Sequence, residues 1–163
     1  MSKYFASTIL IAATLLFAHG VLAQDAPPMT GHAAAMAASA PRDPALKPVF
    51  EDFGGKPGLV ALMDDFMANL MADPRTHPFF ADVDRVRIKA ELVDQFCVIL
   101  DGPCTYTGRD MASVHRGMNV TRGDFNALVE DLQKAMDKHG IPFRAQNKLL
   151  AKLAPMHDVV ITK

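Results

Sequence analysis

Apolar residues recur at three- and four-residue intervals along most of this chain, and nowhere do apolar and polar positions alternate. Leu59, Leu62, Met63, Phe66, Met67, Leu70 and Met71 trace one stripe, the pattern of a helix with a single buried face. Gly54-Gly55 breaks the chain ahead of it, Pro57 suits a first helical turn and Asp73-Pro74 stops it. A second helix is predicted from about Asp84 to Leu100, with Ile88, Leu92 and Phe96 on one row and Val86, Val93, Cys97 and Leu100 on another. Gly102-Pro103 ends it. Thr121 and Asp124 have the spacing of a capping box. Phe125, Leu128, Val129, Leu132 and Met136 give the buried face of the helix that follows, and His139-Gly140 its end. Leu149, Leu150 and Leu153 mark a last helix, interrupted near Pro155. The fold class is all-α.

The centre of this pattern is weak. Residues 105–120 are polar and nearly helix-free, and Asp110 to Gly117 has room only for a short helix. Loops of that length inside compact domains are usually functional. Upstream, His77-Pro78-Phe79-Phe80 presents adjacent rings.

The N-terminal part has a different texture. Lys3, the apolar run Thr8 to Phe17 and the small residues of Val21-Leu22-Ala23 follow the order of a secretory signal, expected over residues 1–23. The run is short for a bilayer span and is interrupted by His19 and Gly20; an uncleaved anchor is the alternative. Residues 24–47 are rich in Ala, Pro and small polar residues, the texture of a flexible linker. The folded domain is expected over residues 48–163, and the location periplasmic or secreted.

The length of 163 residues suits one such domain, and a 50 % hydrophobic content allows a real core. A formal net charge of -1 gives no electrostatic case for nucleic acid. Ten Met and ten Phe, with no Trp, suit either a plain helical core or one that accommodates a bulky apolar guest. Export would place Cys97 and Cys104 in an oxidising compartment, where a disulfide across the Leu100-Asp101-Gly102-Pro103 turn can persist; buried free thiols are the alternative. Their spacing excludes a C-x-x-C redox pair, and the C-x-x-C-H attachment of a c-type haem is absent.

His115 lies in the weak centre, within Met111-Ala112-Ser113-Val114-His115-Arg116-Gly117-Met118. Imidazole is a common ligand of haem iron, but a single histidine is more often a surface or capping residue. Its setting changes that balance. Phe50-Glu-Asp-Phe-Gly-Gly55 resembles the start of group I truncated haemoglobins. Phe79-Phe80-Ala-Asp-Val-Asp84 resembles their Phe-Phe segment, and Gly102-Pro103…Tyr106-Thr-Gly108-Arg-Asp-Met111-Ala-Ser-Val-His115 the run that ends in their proximal ligand. The resemblance spans roughly Phe50 to Ile161.

It implies a two-over-two helical sandwich around a b-type haem. Carried over, His115 is the proximal iron ligand and Phe80 a ring packed on the haem face. Met67, Ile88, Leu92 and Phe96 line the distal side, Met111 the proximal side, and Arg87 or Lys89 pairs with a propionate. His157 lies near a histidine that some cyanobacterial members link to a haem vinyl group. Many members carry Tyr at the position of Met67 and Gln, or another polar residue, at that of Leu92. Those groups hydrogen-bond dioxygen, so an apolar pair predicts fast dioxygen release unless Gln95, one turn from Leu92, substitutes. Glu91 matches a position where some members carry a His or Lys ligand, and is expected to face solvent.

The function that follows is reversible binding of diatomic gases (O2, NO, CO), in oxygen transport or nitric-oxide detoxification with a separate reductase, as a monomer or weak oligomer. Nitric-oxide dioxygenase-like activity is compatible with it, but the apolar distal pair weighs against an efficient one; a peroxidase would want a distal acid–base group, and none is visible. A periplasmic electron carrier or redox sensor, using Met67 as a second iron ligand or the cysteine pair, is the alternative. A haem-free helical interaction module is a third reading.

Overall fold

The computed structural model describes residues 38–163 together with Gly31 and Ala35. The signal-peptide expectation over 1–23 and most of the linker expectation fall outside the described residues. A short 3-10 turn, Pro44–Leu46, leads into α1 (Lys47–Asp52), α2 (Gly55–Ala72), α3 (His77–Phe80), α4 (Arg85–Ile99), α5 (Met111–His115), α6 (Arg122–Lys138), α7 (Phe143–Leu153), a second 3-10 turn (Ala154–Met156) and α8 (His157–Val160). Among the described residues there is no strand.

Helix α2 is the axle of the fold. It packs against α4 on one side and α6 on the other. Its predicted stripe is its buried face: Leu59, Leu62, Met63, Phe66, Met67 and Leu70 are all in the core. They meet Val93, Phe96, Cys97, Ile99 and Leu100 from the α4 side, and Leu132, Ala135 and Met136 from α6. The start of α2 is set by backbone crowding. Gly54 and Gly55 have φ of 75° and 63°, and a Cβ on Gly58 would stand 1.9 Å from the Phe53 carbonyl oxygen.

Local chemistry fixes the other helix ends. Asp84 accepts from the Arg87 N–H at the start of α4. At its end Gly102 N–H donates to Cys97 O and Asp101 N–H to Val98 O, a Schellman arrangement with Asp101 at φ 61°. The predicted capping box of α6 is present in both halves, Thr121 and Asp124. Its end, at His139 and Gly140, has the same Schellman pattern, with Gly140 at φ 65°.

Three expectations are corrected. Val86 is not on the buried row of α4: it is 76 % exposed in the first turn, where no described element covers it. On α6, Phe125, Leu128 and Val129 are only partly buried, while Asp131 is 1 % exposed. That carboxylate is held by the Thr76 hydroxyl and Lys134 Nζ, at 3.3 and 2.9 Å, as a buried charge requires. Finally, residues 38–47, read as part of the tether, pack on the domain. Ser39, Ala40 and Leu46 are buried. Arg42 donates to the Asp101 carboxylate and to the carbonyls of Gly102 and Cys104, and Asp43 pairs with Lys152 at 2.7 Å.

Candidate functional site

The weak centre predicted between α4 and α6 is mostly without regular structure. After Gly102 the chain runs without regular structure to α5, which has five residues and packs chiefly on α8. Several large apolar side chains of the helices are covered only in part: Phe80 of α3, Ile88 and Leu92 of α4, Met111 of α5, Leu128 of α6, Leu150 and Leu153 of α7 and Val160 of α8 all pack against the core cluster at its margin. These partly buried groups are the apolar contact area that the margin of the core offers.

His115 ends α5 and is half-buried there. Its Nδ1 lies 2.8 Å from the carbonyl oxygen of Met111. A carbonyl can only accept, so Nδ1 carries the proton and the lone pair of the neutral ring is on Nε2. Burial pulls the imidazole pKa below its ordinary value, although the Met111 carbonyl acts in the opposite direction. A neutral, oriented imidazole with Nε2 as its base is the donor that a haem iron takes.

The approach to α5 is built to hold that residue. The Tyr106 hydroxyl donates to the Arg109 carbonyl at 2.7 Å, and its pKa is pushed up to about 12, first by burial and then by the charges of Glu91 and Asp110. Gly108 is packed under the same ring: a Cβ there would meet it at 2.7 Å. Asp110 caps α5, accepting from the Ser113 N–H and hydroxyl at 2.9 and 2.6 Å. The Tyr-x-Gly…Met-x-x-x-His run is thus a ring-on-glycine turn followed by a capped single turn of helix.

The other sequence-predicted residues fall into distinct groups. Phe80, Ile88, Leu92 and Met111 stand at the apolar margin. Met67 and Phe96 lie deeper, at 6 % and 3 % exposure. Arg87 pairs with Glu91 at 2.8 Å, and Lys89 with Asp64; both propionate candidates therefore already hold a carboxylate on the surface. Glu91 is not a free solvent-facing group, being partly buried and bonded to Arg87. His157 Nδ1 contacts Asp158 at 2.9 Å, and its ring stands edge-on to Phe125 at 6.3 Å. The Sγ atoms of Cys97 and Cys104 are 2.03 Å apart, within disulfide bonding distance, with their Cα atoms 5.8 Å apart.

Gln95 is corrected. It is 3 % exposed, and its amide donates to the Ser39 carbonyl and approaches Met111 Sδ at 3.7 Å. Its donors are committed away from Leu92, so Gln95 does not replace a polar group there. Ser39 and Arg42, which tie the N-terminal segment to this region, are functional-site neighbours that the sequence did not disclose. They sit in an Ala- and Pro-rich stretch with no local signal.

Among the described residues the fold is all-helical, with one oriented, partly buried histidine at the end of a short helix. Comparison with known proteins gives the family. Residues 48–162 match the model of the bacterial-like globin family. The chain is 28 % identical over 114 residues to the group 1 truncated hemoglobin of Mycolicibacterium paratuberculosis, covering 70 % of this chain and 84 % of that one. It is 30 % identical over 93 residues to that of Tetrahymena thermophila, covering 57 % and 77 %. The solved Fe(III) truncated hemoglobin of Tetrahymena pyriformis superposes with a TM-score of 0.67 at 25 % identity, covering 71 % of this chain and 98 % of that one. The chain belongs to the bacterial-like globin family, with the two-over-two fold of truncated haemoglobins. Members of this class hold b-type haem and bind gaseous ligands there, and the neutral imidazole and apolar margin fit that group.

Proposed function

We propose that this chain is an exported haem protein that reversibly binds diatomic gases (O2, NO, CO), with His115 Nε2 as the proximal ligand of a b-type haem iron. The observation that carries the reading is the 2.8 Å hydrogen bond from His115 Nδ1 to Met111 O. It sets the tautomer, fixes the ring and leaves Nε2 as the base. When bound, haem supplies the iron centre for gas binding; the protein supplies orientation and an apolar environment.

Phe80, Ile88 and Leu92 supply apolar contact area for the ring system. Met67 and Phe96 back them from the core. None of these side chains offers a hydrogen bond to a bound gas, and Gln95 is committed elsewhere. Fast dioxygen release fits such a pocket better than oxygen storage. The Cys97–Cys104 disulfide is formed in the mature protein after removal of residues 1–23. A separate reductase returns the iron to the ferrous state.

Spectra of the purified wild type and His115→Ala, in ferric, ferrous and carbon monoxide-treated forms, test the proximal assignment. The wild type is expected to show a five-coordinate ferrous haem that takes up carbon monoxide. His115→Ala is expected to lose haem, or to regain a histidine-like ferrous spectrum only with added imidazole. Identical spectra for the two proteins would overturn it. Cell fractionation tests the export.

A further inference from the structure

Helix α5 is too short to hold itself. With five residues it has little internal hydrogen bonding, and isolated helices of that length do not persist. Its position therefore depends on what grips its first turn, whose N–H groups have no partner within the helix. Asp110 takes the Ser113 N–H. The Met111 N–H is taken from far away in the chain: it donates to Ser39 Oγ at 2.9 Å.

Ser39 is itself held. It is 4 % exposed, its hydroxyl donates to Ala35 O at 2.9 Å, and its carbonyl accepts from Gln95 Nε2 at 2.5 Å. The same Gln95 amide approaches Met111 Sδ at 3.7 Å. Two residues distant in sequence, Ser39 and Gln95, thus form one polar knot on Met111. The far side of Met111 is its carbonyl, which accepts from His115 Nδ1 at 2.8 Å. One residue is bonded to the knot through its N–H and to the imidazole through its C=O. The backbone of this one residue thus links Ser39 to the ring.

We propose that Ser39 and Gln95 are positioning residues for His115: the segment N-terminal to the globin core reaches back to fix the start of α5, and so the orientation of the imidazole. This rests on the reading of His115 as the proximal ligand. The segment is anchored for the task a few residues on, where Arg42 donates to the Gly102 and Cys104 carbonyls at 3.1 and 3.0 Å.

The test uses the holoprotein as wild type, Ser39→Ala, Ser39→Thr, Gln95→Met and His115→Ala. The readouts are the iron–histidine stretching band of the ferrous form by resonance Raman and the rate of haem transfer to excess apomyoglobin. The melting temperature is recorded beside them. Ser39→Ala and Gln95→Met are each expected to shift or broaden the band and to speed haem transfer about twofold to tenfold, the effect of one buried hydrogen bond. Ser39→Thr keeps a hydroxyl and is expected to stay near the wild type. A band and a transfer rate unchanged in both Ser39→Ala and Gln95→Met, whatever the melting temperatures, would overturn the proposal and leave the proximal assignment standing. A wild type without the band, or a His115→Ala protein that keeps it, would overturn both. Should Ser39→Ala not fold, Gln95→Met alone decides, because it removes the amide at similar volume.

Discussion

Leu92→Gln is the substitution that tests the apolar distal side most directly. Leu92 stands at the margin of the core on α4, partly covered, while its neighbour Val93 and Phe96 one turn on are 5 % and 3 % exposed. The helix backbone is therefore anchored, and a side chain at 92 keeps its direction when changed. Gln95, one turn on along the same helix, spends its donors on Ser39 and Met111, and Lys89, one turn back, is paired with Asp64. A glutamine at 92 would thus add a donor where the wild type has none. A hydrogen bond to a polarised ligand is worth about 1.5–3 kcal/mol, or roughly tenfold to a hundredfold in affinity. Most of such a gain appears in the off-rate. Removing a partly buried leucine costs about 1 kcal/mol of fold stability, which the domain should tolerate. The assay is stopped-flow dioxygen displacement by carbon monoxide on the reduced holoprotein. Dioxygen dissociation at least tenfold slower in Leu92→Gln is expected. Equal rates would refute the reasoning, either because the residue does not face the ligand or because another donor already acts in the wild type.

Three further outcomes follow from the structure. Gly102→Ala would put a Cβ 2.6 Å from both Cys97 Sγ and the Phe50 ring, each fixed in the core; overpacking of this kind costs about 1–3 kcal/mol, read as a fall in denaturant midpoint. Reduction of the protein, or Cys97→Ser, removes a short covalent loop and should cost about 2 kcal/mol of stability, with thiol titration of the unreduced protein finding no free thiol. Asp73 is held at a pKa of about 2, against 3.8 ordinarily, first by the hydrogen bond from the Arg75 side chain and then by the Arg75 backbone N–H. Its contribution is thus complete above pH about 4 and is lost as pH falls through about 2. Asp73→Asn should flatten the stability change between pH 4 and pH 2 in equilibrium unfolding, and an unchanged slope would remove Asp73 from the account.

Much of this protein was written in one dimension. The stripe from Leu59 to Leu70 became the buried face of α2 because helical periodicity alone decides which side of a strong amphipathic helix avoids water. The Thr121–Asp124 box and the Gly140 end of α6 are local hydrogen-bond patterns, so they too could be read directly. His115 stood out through the resemblance of the run from Gly102 to His115 to that of truncated haemoglobins, since the pattern of its own segment left it a single histidine. What only the tertiary structure decided is which polar groups are spent and on whom. Gln95 lies one turn from Leu92, yet its amide is spent on Ser39 and Met111, because those groups come to it from distant parts of the chain. Asp131 is buried because Thr76 and Lys134 come to it from elsewhere in space. Arg87 and Lys89 have carboxylate partners that no spacing rule selects between. Above all, residues 38–47 carry the composition of a tether, and the contacts of Ser39, Arg42 and Asp43 with residues 95–152 bind them to the domain. Such contacts are non-local: they depend on where the helices bring distant backbone groups, which the pattern of any one segment does not encode.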